Sequence, residues 1–257
     1  MSSFFAGKVA LVTGGSSGIG FAIARQLAEN GARAWLLARH PGRLERARQA
    51  LEAQGGQGSC GLLCADVCDS PAVEQAIEQV LASEGALDLV FNCAGVAHPG
   101  YFQELDPSIF RLMMEVNYFG TVNVTKAVVP HMIERRRGHI VNFSSVAGFL
   151  GVFGYTAYGA SKFAVRGFSD ALRAELKPLG VRVSVVFPPD TDTPQLAYEN
   201  QFKPPETKAL AASARILQPE EVAEATLKGM ARGRYIILPG FEAKALFCLT
   251  GLLGPAV

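Results

Sequence analysis

Short apolar runs alternate with amphipathic stretches from one end of the chain to the other, and this alternation restricts the fold more than any other feature. Residues 8–13 (KVALVT), 33–38 (RAWLLA), 61–65, 87–91, 139–143, 181–187 and 235–238 read as strands. Between them, residues 18–29, 43–54, 70–83, 108–137, 156–177 and 218–232 carry helical spacing. Ser70 is the expected N-cap of the third helix, with Pro71 at its first position, and Pro130 is expected to bend or break the fourth. Strands this apolar along their length suit a sheet covered on both faces. Joined through helices they run parallel, and right-handed crossovers give a Rossmann-like, doubly wound α/β sheet flanked by helices. Such sheets bind ligands at the carboxyl ends of their strands. No linker, repeat or low-complexity segment divides residues 1–257, so a single domain is expected.

Composition narrows the partners. With 49% apolar and 18% charged residues the chain can bury a core. A net charge of +1 gives no general attraction to nucleic acid or to anionic membrane. The five cysteines are odd in number and lack the spacing of a disulfide framework, which points to a reducing, cytoplasmic setting. Cys60, Cys64 and Cys68 recur every four residues, but no histidine lies near them, and no metal site is expected. The opening MSSFFAG has neither the basic nor the long apolar region of a signal peptide. Residues 245–257 are uncharged; these thirteen residues are too few for a membrane-spanning helix, which needs about 20, and Gly251, Gly254 and Pro255 interrupt them. Such a tail packs on the core or a partner subunit, or forms a shallow patch on a bilayer.

The first strand runs into Thr13-Gly14-Gly15-Ser16-Ser17-Gly18-Ile19-Gly20. Glycines there let the backbone turn tightly and approach a pyrophosphate, while the following helix aims free N–H groups at it. Gly14, Ser16, Ser17, Gly18, Ile19 and Gly20 are the candidates for that contact. At the end of the second strand an NAD site would place an acid on the ribose 2′-hydroxyl. The chain has Ala38-Arg39-His40 instead, and Arg39 would pair with a 2′-phosphate, which favours NADPH/NADP+.

Tyr158 and Lys162 stand four residues apart in the helix over 156–177, on one face, with Ser144-Ser145 closing the preceding strand. An ammonium beside a phenol favours phenolate and lowers its pKa from about 10. The tyrosine can then give or take the proton that accompanies hydride transfer, while Ser145 hydrogen-bonds the carbonyl oxygen.

These pieces together resemble the short-chain dehydrogenase/reductase family along nearly the whole chain. The matching strings are residues 13–20, Asp66-Val67, Asn92-Cys93-Ala94-Gly95, Asn117, Ser145, Tyr158 and Lys162. The resemblance implies a catalytic tetrad of Asn117, Ser145, Tyr158 and Lys162, in which Asn117 holds a water linking Lys162 to a proton relay. It implies that Asp66 and Val67 contact adenine, and that Asn92, Ala94 and Gly95 support the central sheet and the cofactor. It also brings Pro188, Thr191 and Thr193 to the nicotinamide end, and implies a homo-oligomer, dimer or tetramer, built on the helices over 108–137 and 156–177. Cys93 and Pro189 depart from the family pattern, which usually has asparagine and glycine there.

A narrower resemblance, carried by FPPDTDTP (187–194), KPPET (203–207), GYTAY (154–158) and FAVRG (163–167), is to the 3-ketodihydrosphingosine reductases. It implies NADPH-dependent reduction of a lipid ketone drawn from a membrane surface. The expected site is walled by Phe149, Leu150, Val152 and Phe153 under a lid near 190–215. That lid mixes Leu196, Tyr198 and Phe202 with Asp190, Asp192 and Glu199, one of which is expected to meet the substrate ammonium. A hydroxysteroid, retinol or 3-oxoacyl substrate is the alternative. A non-catalytic NADP(H)-binding regulator is the reading from another class, and the intact tetrad argues against it.

Overall fold

The computed structural model describes residues 2–53, 60–212 and 214–253. Strand β1 (Val9–Thr13) is buried at every residue, and successive side chains leave opposite faces of a strand. Leu11 and Val12 accordingly join two different cores. Beside β1 lie β2 (Arg33–Ala38), β3 (Cys60–Cys64), β4 (Leu89–Asn92), β5 (Gly138–Phe143), β6 (Val181–Val186) and β7 (Ile236–Ile237). All pair in parallel, in the order β3-β2-β1-β4-β5-β6-β7. The expected doubly wound sheet is therefore the one observed, and the strand order reverses between β1 and β4, where a crevice opens.

A first turn, α1 (Ser2–Phe5), seats Phe5 in the core of one face. On that face Ile23 and Leu27 of α2 (Gly18–Glu29), Leu44 and Leu51 of α3 (Pro41–Ala53), and Val222 and Leu227 of α10 (Pro219–Ala231) pack against Val12, Leu36 and Phe91. On the other, Ile77 and Val80 of α4 (Ser70–Glu84), Val124 and Val128 of α6 (Gly120–Glu134) and Leu176 of α7 (Thr156–Leu176) meet Leu11, Leu37 and Ile140. Each fully buried side chain of this size contributes about 1.5–3 kcal/mol.

Four features differ from expectation. The N-cap of α4 is Asp69, whose Oδ1 accepts from the Ala72 amide at 3.1 Å; a carboxylate suits the positive helix end better than the Ser70 hydroxyl, which turns to Glu74. The stretch 108–137 is helical in three pieces: α5 (Pro107–Met113), a π-helical turn (Met114–Phe119) and α6. Pro130 sits inside α6 without ending it. Pro130 and Lys126, whose carbonyl loses its donor, both lie on the exposed side, where that loss costs least. The segment expected as a lid contains two short helices, α8 (Pro194–Phe202) and α9 (Pro205–Ala211). The uncharged tail belongs to a helix, α11 (Gly240–Leu253), and Gly251 lies within it. Phe247 of α11 packs on Phe149 and Phe187, with ring centroids 5.0 and 5.9 Å away. Residues 254–257 of the tail, Ser213 of the expected lid and Gln54 of the second expected helix lie outside the described residues.

Candidate active site

The turn from β1 into α2 is shaped by what its glycines leave out. Gly14 has φ +64°, and a Cβ on it would stand 3.0 Å from the Ala94 backbone. A Cβ on Gly20 would stand 2.6 Å from the Gly14 carbonyl oxygen. No side chain fits at either place, so the turn closes directly on the start of α2. Thr13 Oγ1 donates to the Phe91 carbonyl and accepts the Ala94 amide at 3.0 Å, which ties the turn to the segment leaving β4. Ser17 caps α2 with extended backbone and no side-chain hydrogen bond. The first amides of α2 are thus left without a side-chain cap, beside a cavity of about 500 Å³ lined by Gly14, Ser16, Ser17, Gly18, Ile19 and Gly20. A backbone cradle at a helix N-terminus fits a pyrophosphate.

At one end of the cavity Arg39, following β2, lies 3.6 Å from Asp66, following β3. Both are about half exposed, so the pair is worth little and the guanidinium is available to a phosphate. Arg43, in the first turn of α3, lines the same wall. Its signal was present in the sequence as a second cation four residues after Arg39. Asp66 accepts the Cys68 amide at 3.0 Å, and Val67 packs against Gly120, fixing the wall opposite.

Tyr158 and Lys162 project from α7 into the cavity and are buried. Lys162 Nζ donates to the Phe143 carbonyl, at the end of β5, at 2.9 Å. Burial pushes this ammonium down to about 8, opposed by Cys93 and Glu199. Burial likewise lifts the Tyr158 phenol above its ordinary value; Glu199 and Asp190 lift it further, while Ser145 and Gln195 act the other way. The expected lowering of the phenol by Lys162 is thus not what the structure holds: the ammonium is turned to Phe143 and stands 5.6 Å from the Tyr158 ring centroid. Ser145 follows β5 in extended backbone and its Oγ accepts from the Ala147 amide at 3.2 Å, facing the cavity. Ser144 instead donates to the Lys162 carbonyl at 2.8 Å and anchors α7.

Two expected site residues stand behind the cavity wall. Asn117, in the π-helical turn, gives both amide protons away, to the Val96 carbonyl and to Ser161 Oγ, each at 2.9 Å, and accepts the Val96 amide at 2.8 Å. Its side chain is a brace between α7 and the loop after β4. Asn92 donates to Asn142 Oδ1 at 2.9 Å and ties β4 to β5.

Beyond β6 the chain passes Pro188 and Thr191 to Thr193, whose Oγ1 accepts the Leu196 amide at 3.2 Å and caps α8. All three line the cavity, as do Ala94 and Gly95. A bridge between Thr191 and Leu217 closes the base of the segment expected as a lid. Lys203 Nζ meets Asp190 at 2.9 Å and Thr207 donates to the Phe153 carbonyl at 2.9 Å, tying the segment expected as a lid to its surroundings. Inside, Glu199 accepts from the Tyr155 hydroxyl at 2.6 Å and from Gln195 Nε2 at 2.9 Å.

The expected walls are only partly right. Leu150 and Val152 line the cavity, but Phe149 packs on Phe187 and Phe153 is exposed against Tyr101. Leu196 faces in, whereas Tyr198 and Phe202 face out and cluster with His98. Asp192 also stands outside the lining. Sequence reasoning missed Tyr155, Gln195, Lys203 and the α11 residues Ala243 and Leu246, all of which line the cavity.

The family model described as short chain dehydrogenase matches residues 8–204. A 3-dehydrosphinganine reductase of Danio rerio is 42% identical over 252 residues, covering 97% of this chain and 76% of that protein. Among solved structures, a short-chain dehydrogenase from Sphingobium yanoikuyae in complex with NADPH superposes with a TM-score of 0.81 at 27% identity, covering 97% of this chain and 96% of that one. One from Burkholderia phymatum in complex with NAD gives 0.84 at 28% identity, over 96% and 94%.

Proposed function

The chain belongs to the short-chain dehydrogenase/reductase family, and from that premise we propose that it reduces 3-ketodihydrosphingosine, a long-chain α-amino ketone, to its secondary alcohol with NADPH. The observation that carries this reading is the convergence of Ser145, Tyr158 and Lys162 on the same cavity as the glycine cradle. The similarity to the zebrafish reductase supports the substrate. Arg39 and Arg43, in a place where an NAD site would have an acid, support NADPH.

The residues present fit this cofactor. Gly14, Ser16, Ser17, Gly18, Ile19 and Gly20 would hold the pyrophosphate, Arg39 with Arg43 the 2′-phosphate, and Asp66 with Val67 the adenine. Ala94, Gly95, Pro188, Thr191 and Thr193 would hold the nicotinamide half. When bound, NADPH supplies the hydride that the carbonyl carbon gains. Tyr158 keeps its proton until reaction, because burial disfavours the phenolate, and gives it to the carbonyl oxygen as negative charge develops there. Ser145 donates a hydrogen bond to that oxygen. The Lys162 ammonium, held on the Phe143 carbonyl beside the ring, gives the phenolate left behind only through-space support that does not offset its burial, and solvent then reprotonates it. Leu150, Val152 and Leu196 keep the apolar side of the cavity dry.

The same reading includes a single domain whose lid spans residues 190–215, and cytoplasmic action at a membrane surface. Exposed Phe241 and Leu252 on α11 support the surface contact, and among the described residues no helix is long and apolar enough to cross a membrane. Exposed Leu112, Phe119 and Phe163 support a homo-oligomer built on the α5–α6 region and α7.

The test is loss of NADPH absorbance on mixing with 3-ketodihydrosphingosine, compared with NADH and with short ketones. Consumption of NADPH on the long amino ketone alone is expected. Equal efficiency on short and long ketones refutes the lipid assignment, and NADPH binding without consumption on any ketone favours the regulator.

A further inference from the structure

Among the described residues four carboxylates line the cavity, and three are already engaged. Asp66 faces Arg39 at 3.6 Å, Asp190 holds Lys203 at 2.9 Å, and Glu242 accepts the Arg215 amide at 3.2 Å. Glu199 is the most buried of the four, at 7% exposure, and its oxygens meet only neutral donors, the Tyr155 hydroxyl and the Gln195 amide. A buried carboxylate is normally matched by a cation. The cation nearest in sequence, Lys203, is turned to Asp190.

We propose that Glu199 is the subsite for the ammonium group of an α-amino ketone, held in position by Tyr155 and Gln195, and that it sets the choice between amino ketones and plain ketones. The inference rests on the reductase reading above and deepens it. Tyr155 carries the geometry: its hydroxyl donates to Glu199 at 2.6 Å, and its ring packs beside that of Tyr158. Acid and proton donor are therefore joined through one side chain, and Gln195 steadies the acid from its other oxygen at 2.9 Å. In an α-amino ketone the nitrogen and the carbonyl oxygen sit on adjacent carbons, so an ammonium seated on Glu199 delivers the carbonyl to Tyr158 and Ser145. The Tyr155 and Tyr158 rings, 5.6 Å apart, form the floor between the two points. Glu199 comes from α8, whose end is pinned by the Lys203–Asp190 pair, so the subsite is built by the lid and exists when the lid is down.

The test uses the full chain with NADPH and three ketones of equal chain length: the free amine, its N-acetyl derivative and the analogue without nitrogen. The wild type is expected to prefer the free amine by about 10- to 100-fold in kcat/KM, as a charge-assisted hydrogen bond in a buried site allows. In Glu199→Gln, which keeps the size and an acceptor for Tyr155, that preference should collapse towards one, and Glu199→Asp should restore part of it. No preference in the wild type, or one that survives Glu199→Gln, overturns the subsite; a uniform loss on all three ketones with the ratio intact makes Glu199 a brace for Tyr155. Calorimetry with a long-chain 2-amino alcohol against the equal-length alcohol reads the same subsite without turnover. Selective amine binding that is lost in Glu199→Gln, with none of the ketones reduced, supports the subsite while refuting the reductase reading. Equal binding of amine and alcohol overturns the subsite whatever the turnover.

Discussion

Lys162 Nζ donates to the carbonyl oxygen of Phe143 at 2.9 Å, so the charge on α7 is anchored at the end of β5 and not on the phenol one turn before it. The lysine thereby fastens helix to strand while keeping an ammonium beside the candidate proton donor.

The two residues should separate on substitution. Tyr158→Phe is expected to lose nearly all turnover while NADPH affinity and melting temperature hold, since the ring remains. Lys162→Met is expected to lose turnover and also about 1–3 kcal/mol of stability, because the buried Phe143 carbonyl loses its donor. Steady-state kinetics with thermal unfolding checks both, and near-normal turnover in Tyr158→Phe would sink the catalytic assignment.

Cofactor choice should follow Arg39. Arg39→Asp removes a phosphate partner and adds repulsion, and preference for NADPH over NADH should fall by roughly 10- to 1000-fold. Because Arg43 lines the same wall, Arg39→Ala should show a smaller fall, and the double substitution the largest. A wild type that binds the two cofactors equally contradicts the reading.

Acid sensitivity should trace in part to His139. Burial pushes its imidazole down to about 3, with Arg182 and Lys8 acting in the same direction, and its Nε2 is paired with Ser184 at 2.8 Å. Below its ordinary value the unfolded chain takes up a proton that the folded chain refuses. Stability is therefore unaffected by this group at neutral pH and falls as pH drops from about 6.5, by up to about 1.4 kcal/mol per unit. Urea unfolding of His139→Gln between pH 7 and 4 should give a shallower slope than the wild type, and equal slopes would exclude His139 as the cause.

The two sides of α11 should behave differently. Phe247→Ala opens the cluster with Phe149 and Phe187 and is expected to cost about 1–3 kcal/mol, because Phe247 is only half buried. Phe241 and Leu252 are each 82% exposed. Changing both to Ser should leave the melting temperature in place and weaken binding to liposomes; unchanged liposome binding would leave α11 with a packing role alone.

The sheet was legible because strands buried on both faces are written as unbroken apolar runs, as in VALVT of β1. The glycine cradle was legible because it depends on side chains being absent. The lid was read as a mixture of apolar and acidic residues because its helices were missed. Yet Thr193-Pro194 carries an N-cap and a first-turn proline, and a helix from there puts Leu196, Glu199 and Lys203 on one face, with Tyr198 and Phe202 on another. Which face turns inward is decided by Tyr155 and Asp190, whose positions come from other parts of the fold. Likewise the four-residue spacing of Tyr158 and Lys162 fixes their common face, but the Phe143 carbonyl that claims the ammonium belongs to a strand nineteen residues earlier.

The bridge between Thr191 and Leu217 has a consequence for how such a molecule can diverge. The Asp192 amide reaches the Leu217 carbonyl at 2.8 Å and the Leu217 amide reaches the Asp190 carbonyl at 3.0 Å, so the two ends of the segment between β6 and α10 are held side by side. Everything in between is a closed excursion whose ends are fixed by backbone alone. Its contents beyond Thr193 can be rewritten, or transplanted from a cousin, without disturbing strand register, and the loops after β1, β2 and β3 proposed to hold the nucleotide feel the change chiefly where Thr193 touches Gly18. Appetite for new substrates can thus be acquired beyond Thr193, while the proposed seat of the coenzyme, Thr191 and Thr193 included, is inherited unchanged.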